Sequence, residues 1–170
     1  KALQDLRVLD FTWVLAGPFA TRILADYGAE VIKVQSKVNT PDEHNLSGYF
    51  NTWNRNKRGI TLNLSKSQGI ELAKRLVQVS DVVVENFSPR VMENWALDYH
   101  TLKKIKPDLI MLSMSGMGQT GAWRNYTAFG ATIQALSGIP HLTTFPGHPP
   151  LGLCYSYADH VAGLMGALAV

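Results

Sequence analysis

The feature that most constrains the fold is a series of short apolar segments that alternate with helical patterns. Val82, Val83 and Val84 form an uninterrupted apolar run, which is typical of a strand in a sheet covered on both faces. Four similar segments, each bounded by turn residues, are also predicted to be strands. The predicted strands are residues 7–11, 30–34, 60–64, 81–85 and 109–113. Their alternation with helices predicts an α/β fold with a Rossmann-like, doubly wound and mainly parallel sheet.

The start of the chain predicts two parallel strands joined by a helix. Apolar residues at helical spacing, Phe19, Ile23 and Leu24, follow Pro18 and end before Gly28. Because a crossover between parallel strands of one sheet is almost always right-handed, this unit predicts a right-handed crossover.

Helices and loops are predicted along the rest of the chain. Residues 36–47 and 143–150 are polar or rich in Pro and Gly, and we expect loops there. Ser65 or Ser67 can cap the helix that precedes residues 81–85. Further helices are predicted at residues 89–95, 100–105 and 131–138, a strand at residues 151–157, and a final helix that begins at Asp159.

Charge and composition exclude several classes of function. The net charge is +3, but no block of basic residues occurs, so neither nucleic acid nor a membrane is expected as a partner. The one tight basic cluster, Arg55, Lys57 and Arg58, suits a small polyanion. A single cysteine, Cys154, excludes an internal disulfide. The sequence shows neither a long apolar run nor a signal peptide, and we therefore predict a cytoplasmic protein, with an organellar matrix as the alternative location.

Common catalytic and cofactor motifs do not occur where their chemistry requires them. The loop after the first strand does not spell G-x-G-x-x-G, and the chain has no P-loop, so the usual nucleotide sites are disfavoured. Cys154 lies in a predicted strand, where a buried inert thiol is expected. The histidines lack metal-ligand spacing, which predicts no metal site. We interpret them as surface or loop imidazoles: His44, His100, His141, His148 and His160.

Short motifs follow one another in a fixed order along the whole chain. They are VLDF at 8–11, VLAGP at 14–18, LADYGAEVIKV at 24–34, NRNKR at 54–58, VENF at 84–87, SGMGQTG at 115–121 and QALSG at 134–138, followed by Pro149, Pro150 and Asp159. Together they resemble the class III coenzyme A transferases of the CaiB/BaiF type. Each motif is weak alone, but their common order makes coincidence improbable.

The resemblance implies a longer protein and a particular assembly. Residues 1–170 would be the N-terminal part of a large CoA-binding domain, with a small domain and a C-terminal return segment outside this chain. The missing initial Met and the apolar helical pattern at the end also lead us to expect a piece of a longer protein. Members of the family work as interlocked chains, so we expect a homodimer, or a heterodimer of related subunits.

The resemblance assigns the chemistry to Asp159. Its carboxylate would attack an acyl-CoA to give a mixed anhydride and then an aspartyl-CoA thioester, which passes CoA to a second carboxylic acid. Coenzyme A is then a substrate, and no tightly bound cofactor is expected. A helix N-terminus favours the ionised carboxylate that this role needs. From the residues alone, a simple N-cap role for Asp159 is the stronger interpretation.

The resemblance also implies the positions that contact coenzyme A. These are Val14, Leu15, Ala16, Leu62, Asn86 and Phe87. Ser36 and Asn94 stand where many relatives carry Arg, so we expect the neighbouring Lys37 and Arg90 to contact the phosphates instead. For Lys57 and Arg58, ligand contact and a salt-bridged surface turn remain equally open.

Two other functions compete with CoA transfer. An α-methylacyl-CoA racemase of the same fold needs two proton carriers, and the His of that branch falls at Phe129, which cannot transfer a proton. A non-catalytic CoA-binding subunit of a hetero-oligomer would have no need for Asp159. Both alternatives are therefore secondary.

Overall fold

A computed structural model describes residues 1–37 and 47–170 and contains a five-stranded sheet. The strands are β1 (Arg7–Asp10), β2 (Glu30–Gln35), β3 (Lys57–Thr61), β4 (Val82–Glu85) and β5 (Ile110–Ser113). Every neighbouring pair is parallel, in the order β3-β2-β1-β4-β5. The prediction of an α/β fold with a parallel sheet is therefore confirmed.

Helices cover both faces of the sheet. They are α1 (Ala16–Asp26), α2 (Gly48–Asn54), α3 (Ser67–Gln78), α4 (Pro89–Asn94), α5 (Tyr99–Ile105), α6 (Gly130–Ser137), α7 (Ile139–Leu142) and α8 (Tyr157–Ala169). One apolar core contains Ala73 and Val77 of α3 and Leu102 of α5. The other contains Leu24 of α1, against which α8 packs. All four residues of β4 are buried, as the apolar run predicts.

The strand order places a topological switch in the centre of the sheet. The chain proceeds from β1 through β2 to β3 on one side, and then crosses to β4 and β5 on the other. Loops that follow β1 and β4 therefore diverge at the carboxyl edge. Open α/β sheets bind ligands at such a point, so this edge is where a site is expected.

The predicted position of β3 is wrong by three residues. The strand covers Lys57–Thr61, and its ladder closes where the Leu62 amide donates to the Gln35 carbonyl. Asn63 then turns the chain, because its side chain accepts hydrogen bonds from the amide and the hydroxyl of Ser65. Ser65 is thus engaged with Asn63, and the N-cap of α3 is Lys66 rather than either predicted serine.

The strand predicted at residues 151–157 is also wrong. This segment is irregular up to the start of α8, and its apolar Leu151 is 72% exposed. It is fixed instead by Gln134 of α6, whose buried amide donates to the Tyr155 carbonyl at 2.9 Å. Most of the predicted loop at residues 36–47, with His44, lies outside the described residues.

A buried group of charges joins the centre of the sheet to α1. Asp10, at the end of β1, is fully buried and lies 3.0 Å from Lys57 Nζ and 3.8 Å from Lys33 Nζ. The Thr21 hydroxyl of α1 donates to Asp10 at 2.7 Å. Burial alone would raise the pKa of Asp10, but the two ammonium groups and the hydroxyls of Thr12 and Thr21 lower it from 3.8 to about 2.

We expect Asp10→Asn to destabilise the protein strongly at neutral pH. Two buried ammonium groups would lose their counter-charge, which costs about 3–5 kcal/mol in comparable cases. Because the pKa of Asp10 is lowered on folding, its contribution is present above pH 3.8 and is lost as the pH falls toward 2. Unfolding in denaturant at several pH values should therefore show a difference that shrinks below pH 4.

The exposed Asp5 provides a matched control. Asp5→Asn should change the free energy of unfolding by no more than about 0.5 kcal/mol. Equal effects of the two substitutions would contradict the role of Asp10.

Candidate active site

A cleft of about 480 Å³ opens at the carboxyl edge of the sheet. Trp13 follows β1, Asn86 follows β4 and Ser115 follows β5, and all three line it. Gly130 of α6 and Asp159 of α8 close the opposite side. The cleft thus lies at the switch point where the topology places a ligand site.

Asp159 is the carboxylate of this cleft. It is the third residue of α8, whose N-cap is Ser156, so the predicted helix start is two residues late and Asp159 is not the cap. Its side chain packs so closely on Gly130, the first residue of α6, that a Cβ at Gly130 would overlap Oδ2. The carboxylate therefore lies at the N-terminal ends of both α6 and α8, where the helix dipoles favour an anion.

The environment of Asp159 leaves it available for chemistry. Burial raises its pKa above the usual value, while the charge of His160 and the backbone amide of Asp159 oppose that shift. Within the described residues, Asp159 forms no ion pair. A half-buried carboxylate of raised pKa is more basic and more nucleophilic than a solvated one whenever the pH keeps it ionised.

One wall of the cleft is formed by the loop after β1 and the start of α1, through Val14, Leu15 and Ala16. Val14 has a φ of 64°, in the left-handed region that β-branched residues rarely adopt. The Asn86 side chain holds the preceding Trp13 at both backbone groups: Oδ1 accepts from the Trp13 amide at 2.9 Å, and Nδ2 donates to its carbonyl at 2.8 Å. Four of the predicted CoA contacts therefore line the same cleft as Asp159: Val14, Leu15, Ala16 and Asn86.

The other predicted contacts lie further along the same edge. A second cleft of about 460 Å³ is lined by Lys37, Leu62 and Phe87. A smaller one of about 130 Å³ shares Phe87 with the second cleft, and Trp13 and Asn86 with the first. The three clefts therefore follow one another as a groove along the carboxyl edge. Arg90 is exposed on α4 and lines none of these three clefts.

The three side chains of the basic cluster do not converge on one site, although the sequence places them together. Arg55 pairs with Asp26 at 2.6 Å, and Arg58 pairs with Glu30 at 2.7 Å. The Lys57 side chain is only 1% exposed and faces Asp10. Lys57 is thus neither in a surface turn nor in contact with a groove, because β3 carries it into the buried charge group.

Two further side chains differ from their predicted settings. His160 lies on α8, half-buried, and its ring stacks on Tyr155 with centroids 4.2 Å apart, so it is not a surface or loop imidazole. Cys154 is exposed, since residues 151–157 do not join the sheet. The predicted buried thiol is therefore wrong.

Sequence reasoning missed the roles of Glu85 and Gly130. Glu85 is 2% exposed at the end of β4, and burial raises its pKa. Its carboxylate accepts hydrogen bonds from the Phe87 amide at 2.8 Å and from Gln119 Nε2 at 3.3 Å, which joins two loops of the groove. The only signal for Glu85 was a charged residue that closes an apolar run, and Gly130 gave none.

The Gly-rich loop after β5 contains the sequence of a dinucleotide-binding motif but lacks the loop-to-helix structure of such a motif. Residues 116–121 read G-x-G-x-x-G, but turns follow, and α6 begins only at Gly130. The helix N-terminus that such a motif requires is therefore missing at this place.

Across residues 1–37 and 47–170, no cluster of His, Cys, Asp and Glu could hold a metal ion. No described helix has the length and apolar character needed to cross a bilayer.

Curated relatives match nearly the whole chain. A succinyl-CoA–D-citramalate CoA-transferase of Chloroflexus aurantiacus is 40% identical over 99% of this chain and 44% of its own. A succinyl-CoA:glutarate CoA-transferase of Mus musculus is 36% identical over 100% of this chain and 41% of its own. The chain thus spans less than half the length of these relatives.

Solved structures agree with the sequence relatives. A CaiB/BaiF family protein from Brucella suis has a TM-score of 0.90 and 36% identity over 96% of this chain and 46% of its own. A protein from Mycobacterium tuberculosis has a TM-score of 0.93 and 32% identity over 99% of this chain and 49% of its own. The family model of CoA-transferase family III matches residues 3–170, and the chain belongs to that family.

Proposed function

We propose that the protein containing this chain transfers coenzyme A from an acyl-CoA to a carboxylic acid, with Asp159 as the covalent nucleophile. The observation that carries the proposal is the position of Asp159. Its half-buried carboxylate lines a cleft at the switch point of the sheet and forms no ion pair within the described residues. In a member of CoA-transferase family III, such a group is the natural candidate for attack on a thioester.

The first half of the reaction moves CoA from the donor to the protein. An oxygen of Asp159 attacks the acyl carbon, the carbon–sulfur bond breaks, and CoA leaves as a thiolate with the electron pair. The resulting mixed anhydride joins Asp159 to the acyl group. The thiolate then attacks the Asp159 carbonyl carbon, and the donor acid departs with one oxygen that began on Asp159.

The second half repeats these steps in reverse. The acceptor carboxylate attacks the aspartyl-CoA thioester, expels the thiolate and forms a new anhydride. The thiolate attacks the acceptor carbonyl, and Asp159 is released with one oxygen from the acceptor. The raised pKa of Asp159 favours the attack, because a carboxylate that is less stabilised as an anion donates its electrons more readily.

The groove suits a long ligand that reaches Asp159 at one end. We assign Val14, Leu15 and Ala16 to the part of CoA nearest the thioester, since they line the cleft of Asp159. Leu62 and Phe87 would contact the remainder of CoA in the second cleft. Its lining also includes Lys37, which would approach a phosphate. Arg90, outside these clefts, would need to reach over the rim.

The relatives support carboxylic acids as the second substrate class. Their names join succinyl-CoA to a second acid, such as D-citramalate or glutarate. Racemisation is disfavoured because Phe129, at the position of the required His, lines the cleft beside Asp159 and carries no proton. A non-catalytic subunit is disfavoured because Asp159 keeps an accessible place in that cleft.

We also propose the assembly that the family resemblance implies. Residues 1–170 would be the N-terminal part of the large domain of a cytoplasmic, interlocked dimer. A homodimer and a heterodimer of related subunits are both open, and two relatives named as alpha and beta subunits support the heterodimer. Three apolar side chains of α8 are exposed: Leu164, Met165 and Leu168. Their exposure supports an assembly in which further protein covers this helix.

Trapping the covalent intermediate tests the proposal directly. The full-length protein incubated with acyl-CoA and hydroxylamine should acquire a hydroxamate at Asp159, because both the anhydride and the thioester are activated there. Mass spectrometry of the digested protein locates it. Asp159→Ala should abolish both the adduct and transfer, whereas the exposed Asp108→Asn should leave both intact. Transfer that persists in Asp159→Ala would contradict the proposal.

Gly130→Ala should reduce turnover without unfolding the protein. The added methyl group would displace the Asp159 carboxylate, and a shift of about 1 Å in a reacting group can cost about 100-fold in rate. Steady-state kinetics and a melting curve would separate the two effects. Gly152, which has open space around it, is the matched control, and Gly152→Ala should keep full activity. An unaffected Gly130→Ala enzyme would show that the contact with Asp159 is unimportant.

Solvent isotope incorporation distinguishes transfer from racemisation. In deuterium oxide without an acceptor acid, the α-carbon of a recovered 2-methylacyl-CoA should stay free of deuterium, because Phe129 cannot supply or remove a proton. Deuterium at that carbon, measured by mass spectrometry, would support the racemase instead.

A further inference from the structure

We propose that Asn86 is a positioning residue, which acts by clamping the peptide of Trp13 so that Val14, Leu15 and Ala16 keep their places in the cleft of Asp159. This inference rests on the proposed function for its catalytic consequence. The resemblance to the family suggested a direct contact between Asn86 and CoA. The hydrogen bonds of the Asn86 side chain point to an indirect role instead.

The clamp uses both ends of the Asn86 amide. The carbonyl oxygen accepts a hydrogen bond from the Trp13 amide at 2.9 Å, and the amide nitrogen donates one to the Trp13 carbonyl at 2.8 Å. Both distances are ordinary for strong hydrogen bonds of this type. The side chain thus pairs with a peptide as a neighbouring strand would, just beyond the point where β1 and β4 stop pairing.

The residue on the other side of Trp13 is fixed independently. Thr12 is buried, its amide and hydroxyl donate to Asp10, and Lys33 Nζ donates to its carbonyl. With Thr12 and Trp13 both held, the chain has to turn at Val14 to begin α1 at Ala16. Val14 accordingly has a φ of 64°, a conformation that a β-branched residue adopts only where the surroundings impose it.

The position of this turn decides where the cleft wall lies. Val14, Leu15 and Ala16 line the cleft with Asp159, and so does Asn86. Without the clamp, the peptide that precedes Val14 would lose two hydrogen bonds, and the wall would shift relative to the carboxylate. Each polar end of its amide is engaged with Trp13, which gives Asn86 a route to influence the reaction through the cleft wall.

Hydrogen exchange in the full-length protein tests the clamp without reference to activity. Asn86→Asp keeps the shape of the side chain but removes the donor to the Trp13 carbonyl and places negative charge beside it. Because Asp keeps the oxygen that accepts from the Trp13 amide, exchange at Trp13 should not become faster in this variant, and the Thr12 amide, held by Asp10, should not change either. Asn86→Ala removes both hydrogen bonds, so the Trp13 amide should exchange about tenfold faster in this variant, with the Thr12 amide again unchanged. Unchanged exchange at Trp13 in Asn86→Ala would overturn the clamp.

Binding and turnover test the catalytic consequence in the same variants. We expect kcat for CoA transfer to fall about 10- to 100-fold, by a larger factor than the affinity for CoA weakens, because the displaced wall sets the position of the thioester relative to Asp159. The exposed Asn51→Ala should keep wild-type values as a control. A weakened Kd with normal kcat would show a direct ligand contact and overturn the proposal. If the unsubstituted protein transferred no CoA, the proposed function would fail, while the exchange result would still decide the clamp.

Discussion

The structure depends on one buried carboxylate that lies between two lysines. Asp10 ends β1, and its partners Lys33 and Lys57 come from β2 and β3. The Lys57 ammonium also donates to the Pro18 carbonyl and to Thr21 of α1. Three strands and the helix that follows the first loop are thus joined beneath the cleft. Removing the carboxylate would leave two buried ammonium groups without a counter-charge, so the group ties these elements to one arrangement.

Buried carboxylates also hold the loops that follow β1, β4 and β5. Asp10 holds Thr12 of the loop after β1, and Glu85 holds Phe87 of the loop after β4 and Gln119 of the loop after β5. Asn86 then joins the first two loops through Trp13. The polar side chains beneath the groove are occupied with the backbone and with one another. Asp159 differs from them because its carboxylate lines the open cleft.

The sheet was predictable because its signals are local. Apolar runs and turn residues placed four of the five strands, and the parallel order followed from the helices between them. β3 begins three residues before its predicted start because it pairs with β2 from Lys57 onward, and this register brings Lys57 to Asp10, a contact that local pattern does not reveal. The strand predicted at residues 151–157 does not form although the composition suits one. A distant residue, Gln134, holds this segment outside the sheet.

The site was predictable only in part. The ordered motifs identified Asp159 and Val14, Leu15 and Ala16, which the structure brings into one cleft. The motifs could not show that Asn86 is engaged by Trp13 or that Gly130 packs on Asp159, because both contacts join residues far apart in sequence. His160 was misread for the same reason, since its aromatic neighbours Phe19 and Trp53 come from α1 and α2.

The covalent role of Asp159 is tested most directly by following oxygen. A single turnover of the full-length enzyme with an ¹⁸O-labelled acceptor carboxylate should leave one ¹⁸O atom in the Asp159 side chain, detectable by mass spectrometry of its peptide. The label enters because the acceptor oxygen that attacks the aspartyl thioester stays behind when the new acyl-CoA departs. Product acyl-CoA formed without ¹⁸O at Asp159 would contradict the account.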